Sequence, residues 1–426
     1  MAKIFRSPLA MITLASCFFQ HAFASEKLCS IAPTTYTMAK TKYPNLVNAL
    51  TTLEKYPIVA WYTDRQSEVD RKGMLSRITS ECSDNSRMTI AVYGLPNKDC
   101  NTKLSSSGTV HSTSDYESFL STLTTAVGDR KVLYIVEPDA VGLLANNGCG
   151  QSAGYLKNLK IAIAALSANP NAELYVDVGY WLLGDSTKAS EVATIVKELN
   201  FSGVLKGIAI NTSNYRSTDE CMSYCDTFQA AMGMTTLSCI VDTSRNYHGS
   251  PTTDWCNIKS AGIGKPPTSK TNISNVDYFL WVKPPGESDG ICVTSTQSLT
   301  GVTAGTFYAE GFQSLWDQGY FIDEKTKATI GGSTSDHVTS NDASVQFGAG
   351  SDVKDTSAND SVIQTIGTVA PADTDSSDDS AVTTPATVAT PIVTTLPPTT
   401  ISPNATDFGL LQQTSACKPK RRMREL

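Results

Sequence analysis

Short β-rich runs alternate with helical patterns through the middle of the chain, and this alternation limits the possible folds more than any other feature. The β-rich runs lie at 57–62, 88–93, 132–136, 173–178, 206–210, 237–241 and 278–282. The helical patterns include 115–127, 153–166, 189–199 and 218–232, and the predicted capping boxes Ser114–Glu117 and Ser217–Glu220 begin two of them. Alternating strands and helices form parallel sheets, and seven strands in about 300 residues favour a barrel over an open sheet. We therefore predict an α/β fold, a seven-stranded parallel β/α barrel of the TIM type.

Polar and aromatic side chains follow nearly every predicted strand. Along the chain they are Trp61, Asp64, Tyr93, Asp99, Glu137, Asp139, Asp177, Asn211, Asp242, Arg245, Lys283, Glu287 and Asp289. In a parallel α/β barrel, catalytic residues lie at the carboxyl ends of the strands. A single acid there is commonly a helix cap, but a ring of carboxylates, cations and aromatic side chains on one rim indicates an active site.

The first 24 residues have the features of a secretory signal peptide. Lys3 and Arg6 precede an apolar run at 9–19, and the small residues Ala22 and Ala24 fit a cleavage site before Ser25. The alternative is an N-terminal anchor, but the run is too short to cross a bilayer, and no later stretch reaches the roughly 18 apolar residues that a spanning helix needs. We expect a secreted, extracellular protein that does not act on a membrane.

Cysteine usage agrees with an oxidising compartment. The chain has 11 cysteines, and ten remain once Cys17 leaves with the predicted signal. An even number in a secreted chain favours disulfides over metal ligation. No Cys-x2-Cys pair with a matching His pair exists, and His111, His248 and His337 lie beside no nucleophile elbow. We therefore expect no metal and no cofactor.

Residues 331–426 differ in composition from the rest of the chain. They are rich in Ser, Thr, Asp, Val and Pro, and Phe347 and Phe408 are their only aromatic residues. Such a segment cannot bury enough apolar surface to fold, so we predict a disordered, O-glycosylated tail that could associate with a cell wall. The predicted domains are therefore a signal at 1–24, a catalytic domain at 25–330 and this tail.

The charge of the predicted domain excludes one class of partner. Of 41 acidic and 34 basic residues, the tail carries 11 and six and the signal carries two bases, which leaves 30 acids and 26 bases. A net charge of −4 provides no basic surface for nucleic acid. A neutral substrate fits this balance better.

Seven segments in register resemble glycoside hydrolase family 6, the cellulase family of inverting β-1,4-glucanases. They are VYGLPNKDC at 92–100, YIVEPDA at 134–140, YVDVG at 175–179, GIAINTSNYR at 207–216, IVDTSRN at 240–246, DWCN at 254–257 and LWVKPPGESDG at 280–290. They cover about residues 55–320 in the family's order. The resemblance implies a distorted seven-stranded barrel, and as partner a β-1,4-glucan polysaccharide bound by a monomer.

The resemblance identifies Asp139 as the catalytic acid. A carboxylic acid must protonate the glycosidic oxygen, yet a free Asp titrates at about 4, so a neighbouring carboxylate has to raise its pKa. The family assigns that role, and help in ordering the attacking water, to the position of Asp99. The alternatives are that Asp139 caps the following helix and that Asp99 is a surface acid.

Asp289 matches the family's candidate for the catalytic base. Arg245 and Lys283 are its expected partners, and the alternative is a purely structural ion-pair cluster. The resemblance also predicts substrate-binding residues, namely Trp61, Tyr93, Ser106, Asn211, Trp255, Lys283 and Glu287, with Arg245 and Asp177 in support. We expect Trp281 to lie in the core, and Asn211, although it begins an N-glycosylation sequon, to carry no glycan.

The resemblance implies the disulfides Cys100–Cys149 and Cys256–Cys292. Cys29–Cys82 is our hypothesis for a third. Cys221 and Cys225 share one helix face, so at most one of them is expected to reach Cys239, and Cys417 is expected to be unpaired.

Of two departures from the family pattern, the first concerns a subsite contact and the second concerns the mode of action. Tyr180 replaces the histidine that usually follows the Asp-x-Gly of strand four, and Cys292 follows Asp289 within three residues, where exo-acting members carry a longer segment. The short loop favours an endoglucanase. The alternatives are an exo-acting cellobiohydrolase and a non-catalytic glucan-binding wall protein, the latter weakened by the presence of both Asp99 and Asp139.

Overall fold

Eight parallel strands form one curled sheet in the computed structural model of the protein, which describes residues 26–233, 237–292 and 295–331. The strands are β1 (Leu28–Cys29), β2 (Ala60–Thr63), β3 (Arg87–Tyr93), β4 (Val132–Val136), β5 (Ala172–Asp177), β6 (Leu205–Ile210), β7 (Ser238–Asp242) and β8 (Val276–Leu280). Strands β2 to β8 are the seven predicted strands, each within three residues of its predicted ends. The predicted parallel α/β fold is confirmed, and the predicted tail lies outside the described residues.

The sheet is curled into a barrel that does not close by a regular ladder. Strand β3 carries two neighbours on one edge, β1 beside its first two residues and β2 beside Ile90 to Tyr93. From β3 the order continues through β4, β5, β6 and β7 to β8. Between β2 and β8 there is only one bridge, Ile58 to Trp281, where the Val59 N–H donates to the Trp281 carbonyl at 2.9 Å. This seam is the distortion of the barrel.

Helices lie between the strands and cover the outside of the sheet. They are α1 (Thr34–Lys42), α2 (Val47–Leu53), α3 (Glu68–Glu81), α4 (Thr113–Val127), α5 (Ala140–Leu144), α6 (Tyr155–Leu166), α7 (Ser186–Leu199), α8 (Thr218–Met232), α9 (Ala309–Asp317) and α10 (Tyr320–Asp323). None of the helices in the described ranges is long and apolar enough to span a bilayer.

One of the two predicted capping boxes is correct and the other is wrong. Ser217 and Glu220 cap α8 reciprocally, as predicted. Helix α4, however, begins two residues before the predicted start, and its box pairs Ser112 with Asp115 rather than Ser114 with Glu117. Both pairs have the spacing of the motif, but only Ser112 has the extended backbone that an N-cap needs.

Side chains alternate between two apolar layers along each strand. One set, including Ala91, Leu133, Ile135 and Tyr175, packs inside the barrel without any helix residue. The other set packs outward against the helices. Because all strands are parallel, their carboxyl ends meet at one rim, and the side chains that follow β2 to β8 converge there.

Candidate active site

A single cleft of about 1250 Å³ lies at the carboxyl ends of the strands. Eight of the twelve predicted catalytic, substrate-binding and supporting residues line it: Trp61, Tyr93, Asp99, Asp139, Trp255, Lys283, Glu287 and Asp289. Asp177 and Arg245 lie directly behind this surface, whereas Ser106 and Asn211 point elsewhere. The cleft is larger than the roughly 300–1,000 Å³ of pockets for small ligands, so it has room for a segment of a polymer.

Asp139 presents an unpaired carboxyl group to the cleft. It follows β4 at the N-cap position of α5, but its side chain makes no capping hydrogen bond. Its Oδ1 is buried and has no hydrogen-bond partner among the described residues. Burial raises the pKa of Asp139 well above its ordinary value, and the carboxylates of Asp177, Asp99 and Asp289 raise it further, in that order. This environment favours a carboxylic acid that keeps its proton.

Asp177 holds the backbone of Asp139 in place. It is fully buried at the end of β5, and its Oδ1 accepts the N–H groups of Asp139 at 2.8 Å and Gly179 at 2.9 Å. Burial raises the pKa of Asp177 to about 7. Among the like charges, Asp177 contributes most to the raised pKa of Asp139, ahead of Asp99.

Asp99 is fixed by its own loop. One carboxylate oxygen accepts the Ser105 N–H at 2.7 Å and the Ser105 hydroxyl at 3.1 Å, and the same hydroxyl lies 2.9 Å from the Tyr93 hydroxyl. The disulfide Cys100–Cys149 anchors the loop to the chain beyond α5. The predicted substrate-binding residue Ser106 is exposed and donates to the Lys103 carbonyl instead. The run of serines at 105–107 gave no means of choosing between them.

Asp289 is held by several donors at once. Arg245 Nη1 lies 2.9 Å from both of its carboxylate oxygens, and the Tyr215 hydroxyl and the Asn257 N–H donate to Oδ2 at 2.7 and 2.9 Å. Lys283 Nζ is 3.8 Å from Oδ1. Burial lowers the pKa of Lys283, an effect that the charge of Asp289 opposes. Arg245 and Lys283, the two expected partners of Asp289, therefore both lie beside its carboxylate, and Arg245 is the closer of the two.

Asn211 does not reach the cleft. Its side-chain amide donates to the carbonyls of Arg216 and Asp242 at 3.1 and 2.9 Å and accepts the Arg216 N–H at 2.8 Å, and the residue is fully buried. These hydrogen bonds occupy the side-chain amide and fix the turn after β6. Asn211 therefore positions that turn and does not contact a ligand in the cleft. Its burial supports the prediction that it carries no glycan.

Three tryptophans expose ring surface to the cleft. Trp61 is half-buried and donates to the Val282 carbonyl at 2.7 Å, and Trp255 is 39% exposed. Trp181 is 40% exposed and lies beside Tyr180 in the turn after β5. It is not among the residues predicted from the sequence, although a tryptophan just after a strand end was the available signal. Trp281 is in the core, as predicted.

Four disulfides join the described residues. Cys29–Cys82, Cys100–Cys149 and Cys256–Cys292 were predicted and are confirmed. Cys225 pairs with Cys239, so one of the two cysteines on α8 does reach β7, while Cys221 is buried and bonds to no described cysteine. Cys417 lies outside the described residues.

The sequence matches the family model "Glycosyl hydrolases family 6" over residues 19–319. It is 30% identical over 347 residues to the probable 1,4-beta-D-glucan cellobiohydrolase C of Aspergillus niger, covering 68% of this chain and 74% of that protein. It is 28% identical over 244 residues to endoglucanase A of Thermobispora bispora, and this match covers 56% of this chain and only 52% of that enzyme.

The fold is similar to that of the endoglucanase Cel6 from Mycobacterium tuberculosis. The two structures superpose with a TM-score of 0.60 at 26% identity, over 69% of this chain and 98% of the other. That enzyme was solved in complex with methyl-cellobiosyl-4-deoxy-4-thio-β-D-cellobioside.

Proposed function

This chain belongs to family 6 of the glycosyl hydrolases, a cellulase family, and on that basis we propose that it is an endo-acting β-1,4-glucanase that inverts the anomeric carbon. The observation that carries the proposal is the carboxyl of Asp139, which is buried, unpaired at Oδ1 and surrounded by like charges at the cleft. A group in that state can donate a proton to a glycosidic oxygen near neutral pH.

Asp99 and Asp289 support different parts of this reaction. We assign the ordering of the attacking water to Asp99 together with Ser105, because this carboxylate lies in a loop that borders the cleft. Asp289 is already bonded through both oxygens to Arg245, so it acts as a fixed negative charge opposite the cationic sugar of the transition state. A direct base role for Asp289 would require that ion pair to open.

The exposed aromatic rings support endo action. Trp181 and Trp255 present ring faces of the kind on which sugars stack, and both remain open to solvent. The segment after Asp289 is short, and the Cys256–Cys292 disulfide ties its end to the loop that carries Trp255. A cleft that stays accessible along its length can bind the middle of a glucan chain.

One contact favours exo action as the second candidate. A β-carbon at Gly290 would lie 2.9 Å from Cδ1 of Leu104, so the loop that carries Asp99 and the loop that carries Asp289 touch each other. Such contact would cover part of the cleft, as an exo-acting cellobiohydrolase requires.

Secretion is supported by the cysteines rather than by the predicted signal, which lies outside the described residues. Four disulfides join the described residues, and disulfides form and persist mainly in oxidising compartments. We propose that the enzyme acts outside the cell, with residues 25–330 as its catalytic domain.

Proton NMR of the first product tests inversion. If water attacks the face opposite to the departing oxygen, each newly formed reducing end appears first as the α anomer, and its β anomer grows in only by mutarotation. The Asp139→Asn variant is the control and should release neither at a comparable rate. Initial release of the β anomer would contradict inversion.

A further inference from the structure

The cleft continues past Trp61 into a groove between the N-terminal segment and α3. Its lining includes residues 31–35 on one side and Val69, Asp70, Gly73, Met74 and Arg77 of α3 on the other. The same cleft is lined by Trp61 and Asp139, so a polymer that crosses the catalytic residues can continue into the groove. This groove, which we call the α3 groove, holds none of the residues assigned above to catalysis.

The first wall of the α3 groove is fixed at both ends. The disulfide Cys29–Cys82 joins the chain just before residue 31 to the end of α3. At the other end the Thr35 hydroxyl donates to Glu287 Oε1 at 2.9 Å, and the Tyr36 hydroxyl donates to the Pro285 carbonyl at 2.8 Å. A wall held in this way loses little conformational entropy when a ligand binds.

The second wall is one face of α3, which is exposed at Val69 and Asp70 and packs against the core only through Met74 among the described residues. Its groove residues recur at the spacing of a single helix face, whereas Leu75 and Ile78 pack into the core from the opposite face. Val69 is 79% exposed. Gly73 leaves a gap in the middle of this face, because a β-carbon there would meet nothing within 4 Å.

The lining suits a hydroxyl-rich ligand, because it combines hydrogen-bonding side chains with apolar surface. Gln66 lines the groove, and its Oε1 is buried without a hydrogen-bond partner among the described residues. Arg65 is held between the Ala304 carbonyl, at 2.9 Å, and the Ser107 hydroxyl, at 3.4 Å. Met74 and Val69 supply apolar surface between these polar groups, an alternation that matches the C–H faces and hydroxyl edges of sugar rings.

We propose that the α3 groove binds further glucose units of the same β-1,4-glucan chain, beyond the unit that stacks on Trp61. This inference rests on the proposed function for the identity of the ligand. Because the groove lies away from the catalytic residues, only a long glucan chain reaches it. The groove therefore increases the affinity for long cello-oligosaccharides and leaves the affinity for short ones unchanged.

Gly73 offers a direct test, because a side chain can be added there without a clash in the protein. Gly73→Trp fills the groove, and Gly73→Ala is the matched control, since alanine adds helix propensity but little volume. Each is made in the full chain with Asp139→Asn, and the Kd of cellohexaose and of cellotriose is measured by calorimetry. Val69→Trp provides a second block at an exposed position should Gly73→Trp not fold.

We expect Gly73→Trp to bind cellohexaose about tenfold more weakly than Gly73→Ala, with equal Kd values for cellotriose. Equal Kd values for cellohexaose, or the same loss for both sugars, would overturn the proposal. Hydrolysis is measured separately with Asp139 intact. A chain-length effect on binding in an enzyme that cleaves no glucan would refute the proposed function and still support the groove.

Discussion

At the scale of single residues, the rim that carries the proposed catalytic residues is built from backbone conformations that most residues avoid. Asp99, Glu137, Asp139 and Asn211 all have φ between 51° and 71°, in the left-handed region, and each follows a strand end. For a residue other than glycine this conformation is uncommon, and sparsely populated conformations cost about 1–3 kcal/mol each. For Asp139, the hydrogen bond from its N–H to Asp177 helps to hold it. The position of Asp139, the proposed acid, therefore depends on a strained backbone conformation. The hydrogen bond to the Asp177 carboxylate offsets part of the cost of that strain.

Asp177→Asn should move the alkaline limb of the pH profile of kcat/KM to lower pH. Asparagine keeps an oxygen for the Asp139 N–H but removes the negative charge that raises the pKa of Asp139, so the acid loses its proton earlier. Asp99→Asn should shift the same limb in the same direction by less. A limb that stays in place in Asp177→Asn would show that this charge does not control the acid.

At the scale of elements, one buried carboxylate joins β3, β4 and α4. Glu137, at the end of β4, accepts the Gly94 and Leu95 N–H groups at 3.0–3.1 Å and the Tyr116 hydroxyl at 2.7 Å. A β-carbon at Gly94 would lie 2.5 Å from the Phe119 ring, so only glycine allows the turn to approach α4 this closely. Glu137 therefore sets the path of the chain toward Asp99.

Glu137 should make stability fall as pH rises toward neutrality. Burial raises its pKa from 4.5 to about 7, so the folded state binds the proton more tightly than the unfolded state. The stabilisation that proton binding to Glu137 gives the folded state is complete below the pKa of Glu137 in the unfolded chain. It is lost as pH rises through about 7, the pKa of Glu137 in the folded protein. Each unit of pKa difference corresponds to about 1.4 kcal/mol. We expect the Tm of the wild type to drop more between pH 5 and pH 7 than that of Glu137→Gln. Equal drops would contradict this assignment.

The sequence predicted the elements better than the directions of individual side chains. The strands β2 to β8 are visible because each is a buried apolar run between helical patterns, whereas β1 has two residues and carries no periodicity. A strand end predicts a place on the rim, but whether a side chain faces the cleft depends on turns that periodicity does not encode. Ser106 and Asn211 therefore point away from the cleft. Trp181 faces the cleft from a turn beside Tyr180, where the sequence departs from the family pattern.

At the scale of the whole molecule, one sheet brings its carboxyl ends into a cleft that extends from Trp181 and Trp255 to the α3 groove. The length of this surface suits a chain bound in its interior. The contact between Leu104 and Gly290 joins the loop of Asp99 to the loop of Asp289 and works against this.

Viscometry of soluble carboxymethylcellulose distinguishes the two modes. An endo-acting enzyme cuts internal bonds, so viscosity should fall steeply while few reducing ends have appeared. If viscosity falls only in proportion to the reducing ends released, the result would favour exo action through a covered cleft. Asp139→Asn, with an intact cleft, controls for viscosity loss caused by binding alone.

The most direct test of Asp139 as the acid compares two leaving groups in Asp139→Asn. Cleavage of cello-oligosaccharides needs a proton on the departing oxygen, so kcat/KM should fall by about 10²–10⁴-fold. A 2,4-dinitrophenyl β-cellooligoside releases a phenolate that needs no proton, and its cleavage should fall far less. Equal losses on both substrates, or no loss on either, would contradict the assignment of Asp139.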